Sequence, residues 1–199
     1  MNSQEQELLN GLEIEFKINF NRLEKVIQVQ QKSNESANKI MTYFNQDVSN
    51  IQKVKFDSLQ HNIYNAWTFD PRKGLLNSVI ASGQINLISN IELKNQLASF
   101  EDMVNDLEEE SQAIQLLNAK LILITSEYMN IGKLNEIGYE SFVNEGFRSD
   151  YNRFFKDILV YNIINNASSW RYDLLDEETE VMQSIKRIIE LINEEFNNK

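Results

Sequence analysis

Apolar residues recur along most of this chain at alternating steps of three and four positions. The pattern fills three long stretches that contain almost no glycine or proline, residues 12–70, 84–131 and 147–199. This is the spacing of helices that pack lengthwise, because positions three and four apart share one helical face. The sequence therefore predicts an all-α fold, an elongated antiparallel bundle of about three long helices with a small helical cap at one end.

The first long helix is predicted over residues 1–48. Ser3 is its candidate N-cap, and Gln6, three residues later, completes a capping box. The inward-facing seam of this helix is mostly apolar, but three seam positions are polar: Asn19, Gln30 and Ser33. A polar residue in such a seam costs stability, and in return it can fix the register and the choice of partner.

Residues 49–89 carry shorter, interrupted patterns, which we interpret as a cap of short helices. Asp70 is the expected N-cap of one of these helices, and Pro71 is its expected first residue. Gly83 is expected just beyond the end of that helix, because glycine readily adopts the left-handed conformation found there.

Two further long helices are predicted, over residues 90–131 and 149–197. Ser89 and Glu92 have the spacing of a capping box at the start of the first of them. Residues 131–148 contain three glycines and are predicted to form the main loop. A length of 199 residues suits a single helical domain.

Composition narrows the class of protein. The net charge is −11, and an acidic surface repels phosphate, so nucleic acid is not an expected partner. Acidic residues concentrate at 101–110 and 173–180, which we interpret as solvated helix faces. There is no cysteine, which excludes disulfides and thiolate catalysis. No stretch approaches the ~20 apolar residues of a membrane span, so the chain as given is predicted to be soluble.

Catalytic chemistry is sparse in this sequence. His61 is the only histidine, and Asp57 lies one helical turn before it. The pair has the spacing of a base with an orienting carboxylate, or of half a metal site, but a packing or surface role is favoured. The acidic run at 101–110 lacks the Glu-x-x-His motifs of di-iron bundles. No catalytic residue, metal or cofactor is therefore predicted, and the chain is not expected to be an enzyme.

Four residues of the predicted cap are candidate contacts for a ligand or partner: Trp67, Arg72, Lys73 and Ser82. Arg72 and Lys73 would lie in the first turn of the capped helix, where a positive charge opposes the helix dipole. We therefore expect acidic partners for them elsewhere in the chain, with Asp102 and Asp106 as candidates.

Two motifs lie close together in the middle of the chain, Thr68-Phe69-Asp70-Pro71 and Ser82-Gly83-x-Ile85-x-Leu87-Ile88. They are similar to the hallmark of an uncharacterised bacterial family of small single-pass membrane proteins with a helical soluble domain. The likeness covers residues 4–115, and the family's transmembrane helix is missing here. The resemblance implies that this chain is the soluble part of a protein anchored in a bacterial inner membrane, without indicating the side.

The leading hypothesis is a non-enzymatic helical interaction or scaffold domain that binds another protein. A homodimer through the first or last helix is also expected, because both helices carry more apolar residues than one seam requires. These are Leu8, Ile14, Ile18, Phe20, Ile27, Met41, Phe155, Ile163, Ile164, Trp170, Leu174, Ile185 and Ile188. The alternative is a small-ligand-sensing helical domain, with a pocket between the cap and the long helices.

Overall fold

A computed structural model describes residues 3–46, 53–131 and 146–197. The helices in these ranges are α1 (Ser3–Met41), α2 (Lys53–Ile63), α3 (Gly74–Ala81), α4 (Ile91–Thr125), α5 (Tyr151–Lys156) and α6 (Ile158–Asn197). A 3₁₀ turn spans Gln84–Leu87, and no strand occurs in the part of the chain described. The predicted all-α bundle of long packed helices is confirmed.

Several ends of the long helices differ from the predicted ends, and at two of them a polar side chain caps the helix. The side chain of Asn90, rather than Ser89, caps α4 by accepting a hydrogen bond from the Leu93 N–H at 3.0 Å. The predicted third helix is interrupted at Asp157, whose carboxylate accepts from the Leu159 N–H at 2.9 Å and so starts α6. The first helix ends at Met41, earlier than predicted. Most of the predicted loop, 132–145, lies outside the described residues.

The chain divides into two compact units, and the three longest helices contribute residues to both. Unit 1 comprises Met1–Ile27, Thr68–Glu108 and Asp176–Lys199, and unit 2 comprises Gln28–Trp67 and Glu109–Leu175. The predicted cap at 49–89 is therefore not a subdomain of its own, because its residues are shared between the units. In each unit they lie alongside α1, as the hydrogen bonds of the next subsection show.

Within unit 1, α1 and α4 run in the same direction. The Glu5 carboxylate accepts from the Ser89 N–H at 2.8 Å, just before α4 begins. Eleven residues further along both segments, the rings of Phe16 and Phe100 pack edge to face, with centroids 4.9 Å apart. The antiparallel order predicted for consecutive long helices is therefore wrong for this pair. Within unit 1, residues 70–89 lie along α1 and bring the chain back to the N-terminal end of α1 before α4 starts.

The last helix of unit 1 runs opposite to α4, as predicted. Arg187 of α6 pairs with Glu92 near the start of α4, with Nε and Oε1 2.8 Å apart. Further along α4, the Gln96 amide oxygen accepts from Ser184, which precedes Arg187 on α6.

The core of unit 2 is built on three aromatic rings that touch one another. Phe56 lies 5.3 Å from Phe154 and 4.8 Å from Phe155, measured between ring centroids, and the last two are 5.2 Å apart. All three side chains are buried. Each such aromatic pair contributes about 0.5–1.5 kcal/mol beyond the area it buries, so these rings anchor α2 to α5.

The extra apolar residues that suggested a homodimer are mostly covered within the chain itself. Buried members are Leu8, Phe155, Ile163, Ile164, Leu174, Ile185 and Ile188. The buried members are not available as dimer contacts, and the homodimer itself stays a prediction. On α1, Ile14 remains 61% exposed.

Candidate functional site

In unit 1, the polar side chains of α1 bind the main chain of the segment before α3. Asn19 is fully buried, and its amide makes two hydrogen bonds to Arg72, donating to the carbonyl at 2.8 Å and accepting from the N–H at 2.7 Å. One turn further along, Arg22 donates to the carbonyl of Asp70 at 3.0 Å. These contacts fix the register of the segment on α1, which is the role expected of a polar seam residue.

The N-terminus of α3 is capped by a side chain from α1. The Glu15 carboxylate accepts from the N–H groups of Leu75 and Leu76 at 2.9 and 3.0 Å. The helix begins at Gly74, and Lys73 at the N-cap position makes no side-chain cap bond. The predicted cap at Asp70 is therefore wrong, and Pro71 precedes the helix instead of opening it. A carboxylate from a neighbouring helix can replace a local N-cap, because it accepts from the same free N–H groups and interacts favourably with the same helix dipole.

Two glycines allow this segment to turn after α3 and to pack closely against α1. Gly83 follows the C-cap of α3 with φ 73°, the left-handed conformation predicted for it, and its N–H donates to the carbonyl of Ile80 at 3.1 Å. Gly11 lies where Leu75 approaches α1, since a Cβ at Gly11 would come within 2.6 Å of Leu75 Cδ2.

The same arrangement recurs in unit 2 with the other two polar seam residues. Gln30 donates to the carbonyl of Trp67, and Ser33 donates to the carbonyl of Asn62 at 2.8 Å. The Asn62 amide in turn donates to Ser36 at 3.0 Å. All three polar seam positions of α1 thus hold main-chain atoms of the segment that lies along it, within the unit to which each belongs.

The four candidate ligand contacts are divided between the two units. Trp67 belongs to unit 2 and is 52% exposed, whereas Arg72, Lys73 and Ser82 belong to unit 1. Lys73 Nζ lies 3.3 Å from Glu101, so its acidic partner comes from the predicted acidic run, although not from the two aspartates expected. The Ser82 hydroxyl bonds locally to the carbonyl of Val79 at 3.4 Å. The sensing pocket predicted for the cap stays a prediction.

The histidine and its neighbouring carboxylate are part of the packing around α2. The Asp57 carboxylate accepts from the Tyr151 hydroxyl at 3.0 Å, which ties α2 to α5. Burial, followed by the Asp57 charge, raises the pKa of Tyr151 to about 12. His61 is half-buried. Among the described residues, no three histidine or acidic side chains are grouped so that they could hold a metal ion.

Two buried ionisable side chains on α6 were not anticipated. Arg171 is 1% exposed, and its guanidinium donates to the carbonyls of Ile63 and Asn65 and to the side chain of Asn118, at 3.0–3.2 Å. Burial lowers its pKa to about 10. Glu178 is 0% exposed, and neither of its carboxylate oxygens has a hydrogen-bond partner in the described ranges. The sequence carries a signal for the burial of both residues, because they continue the three- and four-residue spacing of the buried face of α6. This face is formed by Ile164, Ala167, Arg171, Leu174, Glu178, Val181 and Ile185.

The clearest candidate contact surface is an apolar face of α4 in unit 2, formed by Leu116, Ala119 and Leu123. The two leucines are 63% and 71% exposed, and Ala119 between them is exposed as well. Spacings of three, four and seven place these side chains on one side of the helix. The predicted seam of α4 is buried on its other side, through Ile114 and Leu121. This face therefore adds apolar surface that the core does not use.

Comparisons with protein-family models, with curated proteins and with solved structures find no match to this chain. The family resemblance of the two central motifs therefore stays a prediction. Within the described residues, none of the helices combines the length and the apolar character needed to cross a membrane.

Proposed function

We propose that this chain is a non-enzymatic helical interaction domain that binds another protein through the apolar face of α4. The observation that carries the proposal is the exposure of Leu116 and Leu123, at 63% and 71%, one heptad apart on a single face. Paired exposed leucines at this spacing are the kind of anchors that an apolar groove or helix of a partner accepts.

The composition of the face favours an amphipathic helix as the partner. Ala119 lies between the two leucines, and a small residue at the centre lets another helix approach closely. Glu109, one heptad before Leu116, is exposed on the same side, and the chain as a whole carries a net charge of −11. A partner helix with an apolar stripe and a basic flank would complement this surface.

The membrane association implied by the family resemblance is part of the same proposal. In this proposal a transmembrane helix holds the domain beside a bacterial inner membrane. The two central motifs are the support for this step. The full open reading frame tests it, because an apolar stretch of ~20 residues before the domain is required.

In-cell photo-crosslinking tests the proposed interaction face. A photoreactive residue placed at position 116 or 123 should give a discrete protein adduct, and the same residue in place of the exposed Glu35 of α1 should not. Leu123→Asp should abolish the adduct formed from position 116, because a buried charge in the contact is unfavourable. An adduct between two copies of this chain would identify the partner as a second copy. Equal labelling from positions 116, 123 and 35 would refute the proposal that this face of α4 is the contact surface.

A further inference from the structure

A groove in unit 1 lies between α1 and α6. Its walls are formed by Lys17, Phe20, Asn21, Lys186, Ile189 and Glu190. Its volume is about 480 Å³, within the range of roughly 300–1,000 Å³ that is usual for small-molecule sites. The floor is apolar because the side chains of Phe20 and Ile189 are both partly exposed to it.

The charges around the groove leave one ammonium group uncompensated. Lys186 Nζ lies 5.6 Å from the centroid of the Phe20 ring, and Lys186 has no ion-pair partner among the residues that the structure describes. Lys17, on the opposite wall, is compensated by Glu13, with Nζ 2.7 Å from the carboxylate. Glu190 is engaged by Arg187 at 3.4 Å. A single available positive charge therefore lies beside an apolar floor.

We propose that this groove binds a free medium-chain carboxylate, with its carboxylate on Lys186 and its alkyl chain over Phe20 and Ile189. The ammonium group supplies a charge-assisted hydrogen bond, and the aromatic and aliphatic floor covers the chain. This inference is independent of the α4 face, which belongs to unit 2.

The surroundings favour a single small anion over the surface of an anionic bilayer. Glu13 and Glu190 flank the groove, and the chain carries a net charge of −11. A planar array of negative headgroups would be repelled by the net negative charge of the chain, whereas one carboxylate can approach Lys186 alone. The volume of the groove, about 480 Å³, also suits a single alkyl chain.

Isothermal titration calorimetry of the whole chain with decanoate tests the proposal. Decanoate should bind to one site, and octanoate should bind up to about 15-fold more weakly, because each buried methylene contributes about fourfold in affinity. Decyltrimethylammonium has the same chain with a positive head, and it should bind at least about tenfold more weakly than decanoate. Equal binding of the cation, or no binding of decanoate at about 1 mM, would overturn the proposal.

Two variants distinguish a direct contact with Lys186 from a general effect of the protein's charge on decanoate binding. Lys186→Met keeps the length of the side chain and should weaken decanoate binding about tenfold or more. Lys39→Met makes the same charge change at an exposed position of α1 in unit 2 and should change affinity less than about twofold. Equal losses in both variants would overturn the assignment to Lys186.

A second variant tests the apolar floor without touching the charge. Ile189→Ala should reduce the affinity difference between decanoate and octanoate, because part of the surface that covers the alkyl chain is removed. An unchanged difference would mean that the chain does not lie in this groove. Binding to anionic phospholipid vesicles, without binding to decanoate, would likewise overturn the proposal.

Discussion

The pH dependence of stability should reveal the buried carboxyl group of Glu178. This side chain is 0% exposed, and its two oxygens lack hydrogen-bond partners in the described part of the chain. Burial raises its pKa from 4.5 to about 8, because an ionised carboxylate is unfavourable where water is excluded. At neutral pH the carboxyl group is therefore protonated in the folded protein and ionised in the unfolded chain.

The direction and size of the effect follow from these two pKa values. Below pH 4.5 the group is neutral in both states, and it contributes no pH dependence. Between pH 4.5 and about 8 the unfolded chain binds fewer protons, so stability falls as the pH rises. Each pH unit in this interval costs about 1.4 kcal/mol, which amounts to about 3 kcal/mol at pH 7.

Glu178→Gln isolates this contribution because it keeps the shape of the side chain and removes its titration. The free energy of unfolding should be measured by urea denaturation, followed by circular dichroism, between about pH 5 and about pH 8. The difference between Glu178→Gln and wild type should grow in favour of the variant by about 1.4 kcal/mol per pH unit. Glu180→Gln, at an exposed position of the same helix, is the matched control and should run parallel to wild type.

Parallel profiles for wild type and Glu178→Gln would refute the reasoning, since they would mean that the carboxylate is ionised in the folded state. A similar trend in Glu180→Gln would attribute the effect to the overall charge of α6. Trp67 and Trp170 both belong to unit 2, so tryptophan fluorescence follows that unit. Circular dichroism follows the helices of both units, so the pH effect of Glu178 should appear in the circular dichroism signal.

Four further substitutions test the packing around α1, α2 and α3. Glu15→Ala should lower the free energy of unfolding by about 1–2 kcal/mol, because the N-terminus of α3 loses its cap, whereas Asp70→Ala should cost less than about 0.5 kcal/mol. Urea denaturation compares the two, and the reverse order would restore Asp70 as the cap. Gly83→Ala should cost about 1–2 kcal/mol in the same assay, since φ 73° strains a residue with a Cβ; a neutral effect would contradict this. Phe56→Ala should cost about 3–5 kcal/mol by tryptophan fluorescence, and a cost below about 1 kcal/mol would mean that the three rings are loosely packed.

The sequence alone determined the local features of this protein. The three- and four-residue spacing of apolar side chains predicts the long helices, because that period is a property of the helix itself. Gly83 was predicted for the same kind of reason, since its preference for positive φ does not depend on distant residues. The polar seam residues, such as Asn19, were also recognisable as positions that fix a register. The groups that these residues bind could not be recognised from the sequence, because both atoms of Arg72 that bind Asn19 lie far along the chain.

The tertiary structure decided everything that depends on residues distant in the chain. Asp70 has a favourable local sequence for a cap, yet Glu15 caps α3, because a carboxylate brought by packing reaches the same N–H groups. Likewise, the amphipathic pattern could not tell which apolar residues the core would leave exposed. The exposed face at Leu116 and Leu123, and the burial of Arg171 and Glu178, exist only once neighbouring segments have covered one side of each helix. Helical periodicity is a short-range property, whereas solvent exclusion is set by whichever segments pack alongside.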